Sequence, residues 1–241
     1  MYIPYKYAYF AGTVIFFIPW ILLYHYRKDL RKEMWVMGIL IGVGSVVTAY
    51  LWWTVDWWRP QTVTGTIVGI EDFLIGFSNG GIAVVIYEEV FKKRLYKRKK
   101  EHTHKAGTTA LIMLCFFTIF TLFYLFHSTS FIASAIGMIL PTLCLIYFRK
   151  DLILTSLLNG LLMVFVSLPM YYFWILFSPG WIEKTYLFNH LTGFRITGIP
   201  LEDIVFYFLF GLLIAPFYEY WQGIRLRNVP AHTKPNRRKR R

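Results

Sequence analysis

YRKDL at residues 26–30 returns as FRKDL at residues 148–152, an offset of 122, and each copy follows directly on a hydrophobic run. IED at 70–72 returns as LED at 201–203, and Tyr87-Glu88 as Tyr218-Glu219, both at an offset of 131. Phe77 and Gly80 are matched by Phe208 and Gly211 at that same offset. The additional residues of the later copy fall around WIEKTYLFNHLTGFR, 181–195. Internal repetition of this kind decides architecture. Each half reads as helix, RKDL turn, helix, loop, and then a helix that opens with Glu-Asp and closes with Tyr-Glu.

Around these signatures the chain is 56% hydrophobic, 20% aromatic and only 16% charged over 241 residues, which excludes an ordinary soluble domain. Seven runs approach the roughly 20 apolar residues that a ~30 Å hydrocarbon core asks of a helix: 7–25, 34–54, 70–91, 108–126, 130–148, 152–177 and 199–221. The run at 108–126 has no counterpart. Because the repeated starts lie four spans apart, both halves enter the membrane in the same direction. The expected fold is an all-α membrane protein with seven transmembrane helices, built as two parallel three-helix repeats plus one linker helix. The expected boundaries are 1–100 for the first repeat, 101–129 for the linker, 130–225 for the second repeat and 226–241 for a basic, disordered tail.

A net charge of +13 invites a nucleic-acid reading, but the 26 Lys and Arg residues lie almost wholly in the connections between apolar runs. Of these, 22 fall in the segments that share a side with the C-terminus and 4 in those that share a side with the N-terminus. The positive-inside rule therefore predicts the N-terminus outside and the C-terminus in the cytoplasm of a multi-pass cell-membrane protein, with lipid as the partner and no nucleic acid.

The paired acids Glu71-Asp72 and Glu202-Asp203 are the candidate chemistry. Acidic groups in a first helical turn complement the helix dipole by about 0.3–1 kcal/mol, and Pro200 suits a helix start, so a single copy has a structural explanation. Two copies in one register among 13 acidic residues favour function. If the helices 70–91 and 199–221 line one central cavity, all four carboxyls meet near its outer end. Glu88 and Glu219 stand at helix C-termini, where negative charge is unfavourable. They call for cationic partners from Lys92, Lys93, Arg225, Arg27 or Arg149 and read, with Tyr87 and Tyr218, as structural. Asn79 and Asn159 read as interhelical hydrogen-bonding groups.

Other chemistry is absent from the pattern. The six histidines have no metal-binding spacing, no GxGxxG or Walker A motif is present, and no span carries the central lysine of a retinal Schiff base. No cofactor is evident, and a requirement for reduced flavin or nicotinamide has no motif to announce it.

Pro200-Leu201-Glu202-Asp203-Ile204-Val205-Phe206-Tyr207, followed by Phe210-Gly211 and Tyr218-Glu219-Tyr220, resembles the lycopene cyclase domain family, whose mark is Pro-x-Glu-Glu/Asp-x-x-Phe-Phe. Tyr207 stands in place of the second Phe. In the earlier copy Gly69 replaces the proline, and Ile75-Gly76 replaces the aromatic pair. The resemblance implies the fused form of a two-subunit membrane carotenoid cyclase, acting as an intramolecular lyase or isomerase. Such an enzyme protonates the acyclic ψ-end of lycopene or a related polyene, lets a neighbouring double bond attack the cation, and removes a proton, with no net redox. A carboxylic acid kept protonated by an apolar site can donate and a second carboxylate can accept. This implies Glu202 as the general acid, or as a member of an acid-base pair with Asp203, with Glu71 and Asp72 in the corresponding part of the other half. It implies Phe73, Phe77, Phe206, Tyr207 and Phe208 as the π faces around the cation. A small-solute transporter with the same three-plus-one-plus-three topology and a non-catalytic carotenoid- or lipid-binding protein are the alternatives.

Overall fold

The structure is a computed structural model that describes residues 2–96 and 103–228. His102 and the basic tail beyond Asn228 lie outside the described residues. In chain order the elements are α1 (Tyr5–Tyr26) and α2 (Arg31–Thr48), which passes through a π-helical turn (Ala49–Trp53) into α3 (Thr54–Asp56). They continue with α4 (Ile70–Ala83), α5 (Ile86–Val90), β1 (Lys93–Tyr96), and α6 (Lys105–Phe120) with a π-helical extension (Thr121–Leu125). α7 (Ser130–Phe148), α8 (Ile153–Phe177), α9 (Trp181–Thr185), β2 (Arg195–Ile196), β3 (Ile199–Pro200), α10 (Leu201–Gln222) and β4 (Arg225–Asn228) follow to the end of the described residues.

Among the described residues six helices are long and apolar enough to cross a membrane. Their outward faces are as apolar as their buried ones: Phe117, Leu125, Phe165 and Leu176 are each 65–70% exposed. Water would penalise such a surface and lipid would not. The run 70–91, expected as one span, is instead broken into α4 and α5 at Val84 and Val85. The weak helix formers Gly80-Gly81 precede the break and a β-branched run surrounds it. Asn159 Nδ2 donates to the carbonyl oxygen of Ala83 at 3.0 Å and to that of Gly211 at 2.8 Å. The α8 side chain thus ties α4 and α10 together where α4 ends.

α2 packs chiefly on α4 and α8 on α10, through contacts that recur at the two sequence offsets. A Cβ on Gly38 would lie 2.9 Å from the Phe77 ring, and one on Gly160 would lie 2.8 Å from Phe208. A Cβ on Gly80 would lie 2.5 Å from the Met37 carbonyl, and one on Gly211 would lie 2.7 Å from that of Asn159. Small residues here let two backbones approach, the usual device of helix pairs in membranes. α4 and α10 touch at the centre of the bundle, and α1 lies against α8.

The RKDL turns close one end. Arg27 forms a two-pronged pair with Asp29 and donates to the Lys93 carbonyl at 3.0 Å. Arg149 does the same with Asp151 and with the Ile224 carbonyl, also at 3.0 Å. Each fork therefore ties its turn to the segment that leaves the paired helix, and β1 pairs antiparallel with β4 across this end. Arg27 also pairs with Glu89. Burial works against its charge, but Asp29 and Glu89 outweigh that and hold it more firmly protonated than usual.

Candidate functional site

All four motif carboxyls are buried at the end opposite the RKDL turns, but they are held differently. Glu71 Oε1 accepts from the Val63 backbone N–H at 2.6 Å. Asp72 uses both oxygens: Oδ1 accepts from Tyr9 Oη at 2.9 Å and Oδ2 from the Gly69 N–H at 2.8 Å, which is the N3 half of a capping box and satisfies the start of α4. Glu202 Oε1 accepts from the backbone N–H and the hydroxyl of Thr192, at 2.6 and 2.7 Å. Three of the four thus brace loops and helix starts.

Asp203 alone reaches the wall of a central cavity of about 220 Å³. Its neighbours are Tyr186, Tyr171 and Trp57, yet its Oδ2 and Trp57 Nε1 are buried without a hydrogen bond. Pro200 precedes α10 and has no N–H, so the cap that occupies Asp72 is not available to Asp203. At the offset of 122, Phe131 stands where Tyr9 supplies its hydroxyl to Asp72. Phe131 instead packs edge-on against Trp57, with ring centres 5.3 Å apart.

Aromatic rings form most of the rest of the wall near Asp203. Phe206 lies edge-on to Trp53 and Trp57 at 5.4 and 5.6 Å, and Tyr207 lies edge-on to Tyr171 at 6.1 Å. The chain closes this end by backbone pairing between two loops. Arg59 N–H donates to the Thr185 carbonyl and Leu187 N–H to the Trp57 carbonyl, each at 2.8 Å. That pairing brings Tyr186 against Trp58 and into the cavity wall. Burial pushes the Tyr186 hydroxyl well above its ordinary value of 10, so it stays protonated and able to donate. From Asp203 to Phe217 the cavity borders α10 over about 21 Å of helix.

The expected ring set divides. Phe206 and Tyr207 line the cavity, whereas Phe77 and Phe208 press on Gly38 and Gly160, and Phe73 presses on Gly42, as helix-packing groups. Asn79, read from the sequence as an interhelical group, lines the cavity with its Oδ1 unpaired and lies beside Tyr207. Asn159 fills the interhelical role expected of it. Sequence reasoning missed Tyr171, Tyr186, Trp53 and Trp57. Tyr186 falls in the 181–195 segment peculiar to the later half, which is the signal that could have found it.

At the RKDL end Glu88 and Glu219 are fully buried and face each other, with Glu33 nearby. Their carboxyls make no hydrogen bond among the described residues. Arg27 and Arg149, named as candidate partners, are engaged by Asp29, Glu89 and Asp151 instead. Tyr87 lies tilted against Phe91 at 4.8 Å and Tyr218 lies edge-on to Trp221 at 6.0 Å. Among the described residues no group of His, Cys, Asp and Glu side chains is arranged to hold a metal ion.

No curated protein and no solved structure matches the chain. A family model described as lycopene cyclase matches residues 6–91 and 128–221, most of the sequence on either side of the interval that holds β1 and α6.

Proposed function

Since the chain belongs to the lycopene cyclase family, we propose that this multi-pass membrane protein cyclises the acyclic end of a carotenoid such as lycopene, with Asp203 as the proton donor. The observation that carries this reading is a buried carboxyl with a free oxygen on the wall of a cavity otherwise lined by rings and aliphatic groups. Lipid surrounds the helices, and a hydrocarbon substrate is dissolved in that lipid.

The reaction balances as an isomerisation. The Asp203 carboxyl gives its proton to the terminal C=C of the ψ-end, leaving a tertiary carbocation. The next suitably placed double bond attacks that cation, a C–C bond closes the six-membered ring, and the charge moves to a ring carbon. Loss of a proton from an adjacent carbon to the Asp203 carboxylate forms the ring double bond and restores the acid. Phe206, Trp57 and Trp53 present π faces to the cation, which attract it without bonding to it as water would. Tyr186 and Tyr171 hold the carboxyl in place between turnovers. Glu202 and Thr192 fix the loop that closes the site, and Glu71 and Asp72 fix the start of α4, so the first-half pair supports the architecture.

The contacts that recur at offsets of 122 and 131 support a layout of two parallel three-helix units joined by α6. The charge asymmetry supports an orientation with the RKDL end in the cytoplasm. Expression in lycopene-accumulating bacteria tests the function. Ring-bearing pigment is expected from the intact protein, with a loss of about 10²–10⁴ in its formation for Asp203→Asn, the usual scale of a general acid. Wholly acyclic pigment with well-accumulated intact protein rejects the cyclase reading. Undiminished ring formation by Asp203→Asn rejects the assignment of the acid.

A further inference from the structure

The seam between α1 and α8 is filled: Trp174 seats on Gly12 and its Nε1 donates to the Ala8 carbonyl at 2.8 Å. No such filling exists between α2 and α6. A Cβ on Gly44 of α2 would meet nothing within 4 Å, whereas Cβ atoms on its neighbours Gly38 and Gly42 would lie 2.9 Å from Phe77 and Phe73. Gly44 is thus free of any packing role and lies on the cavity wall.

α6 is fastened at its two ends. His104 stacks on Tyr220 with ring centres 5.0 Å apart. At the other end Tyr124 Oη donates to the Leu51 carbonyl at 2.8 Å, and Phe116 lies edge-on to Trp52 at 6.2 Å. Between these points α6 packs on α7 and α10 and α2 packs on α4. Leu40, Ile41 and Gly44 of α2 and Ile112, Cys115 and Phe116 of α6 all border the cavity. Leu40 is exposed on the outer surface and the other five are half-buried, so the cavity runs out to the face that meets lipid. π-helical turns, which concentrate at functional sites, flank the upper edge of this gap on both helices.

We propose that the gap between α2 and α6 is a lateral opening through which one end of a long, linear polyene slides from the bilayer to Asp203. The remainder of the chain then lies between the two helices and in lipid. The inference rests on the cyclase reading for the identity of its occupant. A cavity of about 220 Å³ is smaller than the roughly 300–1,000 Å³ of sites that enclose whole drug-sized ligands. It therefore takes in one end of the polyene and leaves the rest outside. The loop end is shut by the paired backbones at Trp57 and Thr185, and a route through it would carry a hydrocarbon across water.

Gly44→Trp fills the gap without a backbone clash, Ile112→Trp fills it from the opposite helix, and Val43→Trp, which points to lipid at 54% exposure, is the control. Each protein is expressed in lycopene-accumulating bacteria, its level in the membrane is measured, and the carotenoid retained after reconstitution in lipid nanodiscs is read from the visible spectrum. Retention and ring formation are expected to fall about tenfold or more in both gap variants, equivalent to about 1.4 kcal/mol of binding, and to hold in Val43→Trp. Wild-type retention by either accumulated gap variant overturns the opening, as does absence of retained carotenoid from the wild type. If the wild type forms no ring but the retention pattern appears, the opening stands and the cyclase reading falls.

Discussion

Asp72 and Asp203 occupy matching places in the two motifs, are both buried, and have opposite circumstances. Asp72 spends its two oxygens on the Gly69 N–H and the Tyr9 hydroxyl. Asp203 has neither partner, because Pro200 carries no N–H and Phe131 carries no hydroxyl, and it keeps one oxygen free on the cavity wall. A carboxylate that satisfies a helix start is a structural group, and one denied those donors is available for chemistry. The lesson is that a carboxyl's availability is set as much by what its neighbours withhold as by its own identity.

Removing that difference is the sharpest way to test it. The double substitution Pro200→Gly with Phe131→Tyr returns both donors to Asp203, and ring formation is expected to fall about tenfold to a hundredfold, approaching the loss of the general acid itself. Pigment chromatograms at equal protein level check this, and an unchanged product yield breaks the comparison. The reverse experiment is Tyr9→Phe, which strips one hydrogen bond from buried Asp72. It is expected to cost about 1.5–3 kcal/mol of stability, the range for hydrogen bonds to charged groups, read as a lower thermal unfolding temperature in detergent with ring formation per folded protein retained. A large catalytic loss without a stability loss would move Asp72 into the chemistry. The smallest effect belongs to Thr192→Val, which removes one of two bonds to Glu202 and keeps the other. About 0.5–1.5 kcal/mol is expected, seen as faster proteolysis of the 181–195 loop.

The two ends of the bundle also differ. At the RKDL end Arg27 and Arg149 repeat each other's contacts with Asp, and with a departing carbonyl. At the acidic end the correspondence fails at the residues that matter, and the 181–195 segment adds Tyr186 and Thr192 to one side. Sequence likeness persists where the residues fasten helices and is lost beside the cavity.

Much of this architecture is legible in the order of the residues. The apolar runs, the offsets and the RKDL turns announce a helical membrane bundle, since lipid leaves a spanning backbone few options. The Glu-Asp pairs are buried first-turn acids, as their positions suggest. The break after Ala83 has no such local sign, because it depends on Asn159, 76 residues away, which captures the Ala83 carbonyl. The partition of the rings is equally hidden. Phe77 and Phe206 look alike in a sequence, and only the helix that faces each decides whether it meets a glycine or the cavity.

The sequence by itself determined membrane residence, the long apolar helices other than the broken run 70–91, and the acid pairs at two helix starts, because periodicity, charge placement and the chemistry of hydrocarbon act locally along the chain. The tertiary structure alone decided which acid is free, which rings surround it and where the bundle is left unfilled. Those properties depend on the meeting of residues such as Trp58 with Tyr186 and Tyr9 with Asp72, whose separation in the chain says nothing of their distance in space.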